Sequence, residues 1–271
     1  MASDPLVRNN VKLAGKLDAK QSIVFVNGLG TDQRVWSALA AAFEDTFRLV
    51  LFDHVGSIPA SFESFSRNQL HYLNASGYAQ DLLEICAILR LSGNTILIGH
   101  SLGAVVGMLA SIRRPEQFSR LVLIGASPRY VDADGYRGGF SAAEIEAIYD
   151  AIGTDYQSWA NAFASAAIGP RSAEHVRRLA ESLVRVPKEM MLTVLCSILQ
   201  ADHRAVIAQL RVPTLIVQSR MDHFVPMAVA EYLLAHIPAS ELKVIDAEGH
   251  LPHVTAPEKL IQVVGKYIES C

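Results

Sequence analysis

The sequence predicts an α/β protein: a mostly parallel, twisted sheet flanked by helices, with four further helices inserted after the middle strands. Three observations carry this. Short apolar runs that read as buried strands alternate with segments of helical periodicity, first over residues 22–128 and again from residue 213 onward. The pattern Gly99-His100-Ser101-Leu102-Gly103 falls between such a strand and such a helix. Between about Arg129 and Gln209 the alternation stops and four helical segments replace it. The expected division is a core of residues 1–128 and 210–271 and a helical lid of residues 129–209.

The elements follow in order. Val11 to Leu13 reads as a short edge strand, and Ser22-Ile23-Val24-Phe25-Val26 as a buried one running into Asn27-Gly28-Leu29-Gly30. Apolar residues at 35, 36, 39 and 43 have helical spacing. The strand Phe47 to Phe52 ends at Asp53. A polar loop with several serines, Pro59 and Asn68 leads to a helix from about Ala75 to Leu91. Asn94 to Ile98 is a buried strand, Ala104 to Ile112 a buried helix, and Leu121 to Ile124 a strand closed by Gly125-Ala126-Ser127-Pro128. The inserted segments are Ser141 to Ile152, Asp155 to Ala167, Ser172 to Val184 and Pro187 to Gln200; Ser141 with Glu144 fits a capping box, and Pro170 and Pro187 mark breaks. The strand Pro213 to Gln218, a helix from Met227 to His236, the strand Leu242 to Ile245 and a helix from Pro257 to Ile268 complete the chain.

With 271 residues, 51% of them hydrophobic, the chain suits one large domain with an insertion. A net charge of −3 without any run of like charge argues against nucleic acid or an anionic membrane as partner. Cys86, Cys196 and Cys271 show no C-x-x-C spacing and suggest free thiols in a reducing compartment. Met1 to Pro5 shows neither a basic start nor an apolar stretch, and no apolar run is long enough to span a bilayer. The expectation is a soluble cytoplasmic protein.

The chemistry centres on Ser101. A G-x-S-x-G on a strand-to-helix turn pushes the serine into the open, because the turn is too tight for side chains at 99 and 103. Ligands of a parallel sheet gather at the carboxyl ends of its strands, and Ser101 is at such an end. A serine hydroxyl needs a base and a group that orients the base. Asp222 lies past the strand ending at Gln218, and His250 past the strand ending at Ile245, in the order acid then histidine. Asp246 competes with Asp222, and His223 and His253 compete with His250; His100 and the other histidines are read as packing or surface residues. His250-x-x-His253 lacks a third ligand of suitable spacing, so no metal is expected. Backbone N–H groups of Leu29 and Leu102 are the expected oxyanion donors. Leu29 and Leu102 below, with Tyr130, Phe140, Trp159 and Phe163 above, are the expected apolar, substrate-binding wall.

With these residues in view, the chain resembles the α/β-hydrolase superfamily. Within it the chain is similar to the branch of the bacterial energy-stress regulator RsbQ and the plant strigolactone and karrikin receptors. The similar stretches include Arg8 to Val11, Asp53 to Ser57, Gly77 to Leu83, Leu109 to Pro115, Ile124 to Tyr130, Gly138 to Phe140 and Gly249 to His253. The resemblance implies Ser101, Asp222 and His250 as a catalytic triad, oxyanion donors at Leu29 and Leu102, a four-helix lid over a hydrophobic pocket, and no cofactor. Two departures stand out: Asn27 occupies the position usually held by histidine before the oxyanion glycine, and residues 57–74 match poorly.

The leading expectation is a serine hydrolase of a small hydrophobic ester or lactone that works as a signalling regulator. The alternatives are a ligand-binding module whose lid recruits a partner such as a regulatory protein phosphatase, and a general carboxylesterase. Dehalogenase and epoxide hydrolase chemistry on this fold uses a carboxylate nucleophile, which Ser101 argues against.

Overall fold

A computed structural model describes residues 4–170 and 172–269. In chain order the described elements are α1 (Pro5–Arg8), β1 (Lys12–Gly15), β2 (Ser22–Val26), α2 (Ser37–Phe43), β3 (Arg48–Leu51), α3 (Phe62–Arg67), α4 (Ala75–Ile88), β4 (Thr95–His100), α5 (Leu102–Arg113) and β5 (Phe118–Ile124). Then come α6 (Ala142–Thr154), α7 (Tyr156–Ile168), α8 (Ala173–Arg185) and α9 (Lys188–Leu199). The chain continues through β6 (Thr214–Met221), α10 (Met227–His236), β7 (Ser240–Glu248), α11 (Pro252–Thr255) and α12 (Pro257–Glu269). Cys271, expected as a free thiol, lies outside the described residues, as do residues 1–3; Cys86 and Cys196 are free.

The strands form one sheet in the order β1-β3-β2-β4-β5-β6-β7, with β1 antiparallel to β3 and every other pairing parallel. Parallel strands are buried on both faces, which is why β2 and β4 are apolar runs without alternation. Alternate residues still feed different layers: Val24, Val26 and Leu97 pack under α4, α5 and the inserted helices, whereas Ile23, Phe25, Ile96 and Ile98 pack with α2 and α12. Among the described residues no helix is long and apolar enough to cross a membrane.

Register positions the site. Val26 pairs with Gly99 and His100 with Ile124, so the carboxyl ends of β2, β4 and β5 align. β6 runs three residues beyond the expected Gln218, and β7 extends past the apolar core of Leu242 to Ile245 at both ends. β7 is an edge strand whose exposed Glu241 and Lys243 interrupt its apolar pattern. Met221 pairs with Glu248, so Asp222 and the Gly249-His250 loop leave the sheet side by side.

The expected polar loop before α4 contains structure instead: α3, flanked by 3-10 turns at Pro59–Ser61 and Gln69–Tyr72. Phe65 and Tyr72 anchor it, both buried, with their rings stacked and centroids 5.4 Å apart. None of its residues lines the cavity beside Ser101.

Candidate active site

Ser101 joins β4 to α5 with φ 53° and ψ −117°, a strained conformation for a residue with a side chain. The surroundings impose it. The Ser101 N–H donates to the Ile124 carbonyl at 2.9 Å, and its own carbonyl accepts from Ala104 and Val105 at 3.0 and 3.2 Å. A Cβ at Gly103 would lie 2.1 Å from the Val26 carbonyl oxygen, and one at Gly99 2.5 Å from that of Gly103. The glycines of the motif are therefore a packing requirement, and the positive end of α5 faces the serine.

Asp222 and His250 meet as their register requires. His250 Nδ1 and Asp222 Oδ2 are 2.8 Å apart, with the Asp222 side chain 1% and the His250 side chain 6% exposed. Asp222 Oδ1 accepts from the backbone N–H groups of Phe224 (2.9 Å) and Val225 (3.0 Å), and Gln218 Nε2 donates to Oδ2 at 3.3 Å. Burial pushes the Asp222 pKa up, but the charge and hydrogen bond of His250 and the two backbone donors outweigh it, and the carboxylate titrates below its ordinary range. The competitors fall away: Asp246 is 79% exposed and paired with Lys259, and His223 is exposed.

Ser101 and His250 line the same cavity. Among the described residues, however, the hydrogen-bond partner of Ser101 Oγ is the Tyr130 hydroxyl at 3.4 Å, not His250. Burial pushes the Tyr130 pKa up to about 12, so this group stays protonated. His100, expected to be a packing residue, also makes a polar contact, with its Nε2 2.8 Å from the His250 carbonyl oxygen.

The loop carrying Leu29 is braced by the unexpected Asn27. Fully buried, Asn27 donates through Nδ2 to the Phe52 carbonyl (3.0 Å) and accepts at Oδ1 from Trp36 Nε1 (2.7 Å). His54 Nε2 contacts the Asn27 carbonyl at 2.9 Å. Asn27 thus ties the loop to Phe52, the residue after β3, and to Trp36 without a histidine at that position.

The cavity holds about 280 Å³. Leu29, Tyr130, Phe140, Trp159 and Phe163 line it. Leu102 does not: its side chain borders a neighbouring crevice with His54, Tyr78 and Met191, because α5 turns it towards the core. Sequence reading missed Phe224, whose ring centroid is 4.8 Å from Phe163 and 5.4 Å from His250, and also Leu195, Ile198 and Leu199 of α9. Phe224 sits two residues past Asp222, and that strand-end position is the signal that identifies it.

Four buried histidines surround the site, and three are held neutral by burial: His54 is pushed down to about 4, His253 to about 3, and His100 well below its ordinary value. In the unfolded chain each takes up a proton near pH 6.5. Because the folded pKa values are depressed, the unfolded state binds more protons below pH 6.5, and stability falls as pH falls, by about 1.4 kcal/mol per unit for each histidine. Thermal unfolding followed from pH 7 to pH 4.5 should show a steep loss of Tm; a flat profile would contradict the neutral assignment.

A serine-bearing strand-to-helix turn at the centre of a parallel sheet, with an acid and a histidine leaving adjacent strands at the same edge, is the arrangement of a class of α/β hydrolytic enzymes. Similarity to known proteins agrees. The family model of the alpha/beta hydrolase fold matches residues 21–257, and the chain belongs to that family. It is a hydrolase of that fold. It is 37% identical over 256 residues to strigolactone esterase D14 of Arabidopsis thaliana, covering 93% of each chain. It is 36% identical over 260 residues to the karrikin insensitive 2 receptor IA of Petunia hybrida, covering 95% of this chain and 93% of that one. Among solved structures, a hydrolase from Oleispira antarctica superposes with TM-score 0.94 at 28% identity, covering 100% of this chain and 98% of that one.

Proposed function

We infer that the protein hydrolyses a small hydrophobic ester or lactone through Ser101, His250 and Asp222. The observation that carries this is the buried Asp222–His250 contact at 2.8 Å beside an apolar cavity whose floor holds Ser101. The serine hydroxyl, resting on Tyr130, rotates to His250 Nε2, gives up its proton and attacks the carbonyl carbon. His250 passes that proton to the departing alkoxide, and Asp222 keeps the imidazole in the tautomer that can accept it. The backbone N–H groups of Leu29 and Leu102 receive the developing oxyanion. Water then cleaves the acyl-enzyme. The helices of residues 129–209 act as a lid over residues 1–128 and 210–271, and no cofactor takes part.

The test is a series of p-nitrophenyl esters from acetate to decanoate. Turnover should favour the short acyl chains and fall at least 10-fold by decanoate. A flat profile overturns the small-ligand part of the reading, and no turnover of any ester overturns the whole.

A second reading, in which hydrolysis serves signalling of the RsbQ type in the cytoplasm, draws on one contact. The His250 N–H donates to the Ala167 carbonyl at the end of α7 (2.7 Å), so the ligand-bearing site and the lid are directly linked. The relatives named as receptors favour it too. A lid surface altered by ligand would engage a regulatory protein phosphatase; equal recovery of that partner with and without ligand counts against it.

A further inference from the structure

Behind the catalytic cavity lies a second cleft of about 720 Å³ between α8, the segment from Gly30 to Ala38, and α11. The two spaces differ in character. Of the residues lining the catalytic cavity, only His100, Ser101, Tyr130, Trp159 and His250 carry a polar side-chain atom, whereas the cleft is edged by Asp32, Arg34, His175, Arg178, Glu181 and Arg185. Leu179 and Leu251 line both, so a partition of two leucines separates polar cleft from apolar cavity.

His253 stands at the inner wall of the cleft. It is 1% exposed, its ring stacks on Trp36 at 4.6 Å, and among the described residues neither ring nitrogen has a hydrogen-bond partner. A neutral imidazole has one donor and one acceptor, and burying both unpaired is costly, whereas a water molecule satisfies either. From His253 the next imidazole is His100, with ring centroids 4.5 Å apart, and from His100 the next is His250, at 4.8 Å. Three rings thus run from the polar cleft to the site of Ser101.

We propose that the cleft is a water port: water ordered at His253 passes the Leu179–Leu251 partition and reaches the acyl-enzyme while the substrate's acyl group fills the apolar cavity. The step it serves balances. The water oxygen bonds to the acyl carbon as His250 Nε2 takes its proton, the bond to Ser101 Oγ breaks, and the proton returns to Oγ as the acid forms. His253 is a positioning residue here, acting through the water it holds.

The port rests on the acyl-enzyme reading, and stopped-flow hydrolysis of p-nitrophenyl acetate by the intact protein separates the two. In His253→Phe, which keeps the stacking on Trp36 but removes both nitrogens, acylation should stay within twofold of the unaltered protein. Deacylation should fall at least 10-fold, so that a burst of one equivalent of p-nitrophenolate appears. His253→Asn, which retains a donor and an acceptor, should restore deacylation to within a few-fold. Acylation and deacylation falling together, or deacylation unchanged, overturns the port. Should His253→Phe fail to fold, Ser182→Trp on the cleft side of α8 decides: slowed deacylation with normal acylation supports the port, and normal deacylation overturns it. If the unaltered protein does not turn over the ester, the hydrolytic reading fails and takes this one with it; normal turnover by every variant removes the port alone.

Discussion

Ser101→Ala should lower kcat for a short-chain p-nitrophenyl ester by about 10⁵- to 10⁶-fold, with the residue of activity supplied by binding and the oxyanion donors. The expectation follows from position. Ser101 is the hydroxyl at the strand-to-helix turn, it lines the cavity with His250, and alanine removes the oxygen to which the proposed mechanism assigns the acyl bond. The substitution deletes one oxygen from a side chain whose sole described partner is a 3.4 Å contact, so the fold should be unaffected and Tm nearly unchanged. Retention of more than a hundredth of the activity would place the nucleophile elsewhere.

Asp222→Asn should lower kcat by about 10⁴-fold with little change in KM. The hydrogen bonds dictate how the amide sits. Oδ1 of Asp222 accepts from two backbone N–H groups, so the asparagine must keep its carbonyl oxygen there and turn its NH₂ towards His250 Nδ1. Facing a donor, the imidazole moves its proton to Nε2, the nitrogen that accepts from Ser101 in the proposed mechanism. The geometry survives while the tautomer is wrong. Kinetics on the purified variant decide it, and a loss below 10-fold would reduce Asp222 to a loop-stabilising residue.

Much of this site is legible in the sequence because it rests on local rules. Gly99 and Gly103 report a turn that only glycine fits, and the order of Ser101, Asp222 and His250 follows from strands that end at one edge. What escapes depends on contacts between distant segments. Asp53 accepts from Asn10 Nδ2 (2.7 Å), the Gln33 N–H (2.8 Å) and Gln33 Nε2 (2.9 Å), a hub that ties the first residues to the loop carrying Leu29. No periodicity announces such a hub. The stretch from Arg8 to Val11 therefore resembles its family for a reason visible only once folded: Arg8 pairs with Asp81 at 2.9 Å, and Asn9 donates to the Asp53 carbonyl at 3.1 Å. The helix at 62–67 escapes because two buried aromatics among serines look like a loop until they stack. The side chain of Leu102 escapes as well, because the first turn of α5, where its N–H is proposed as an oxyanion donor, turns the side chain inward.

The backbone at Ser101 has a consequence for how the molecule ages and fails. A positive φ on a residue with a side chain persists only while neighbouring segments hold it. If Ser101 is the nucleophile as proposed, relaxation of that one dihedral, with the helices still wound and the strands still paired, would be enough to abolish turnover. Potency is therefore a finer gauge of an intact preparation than any spectrum of its secondary structure.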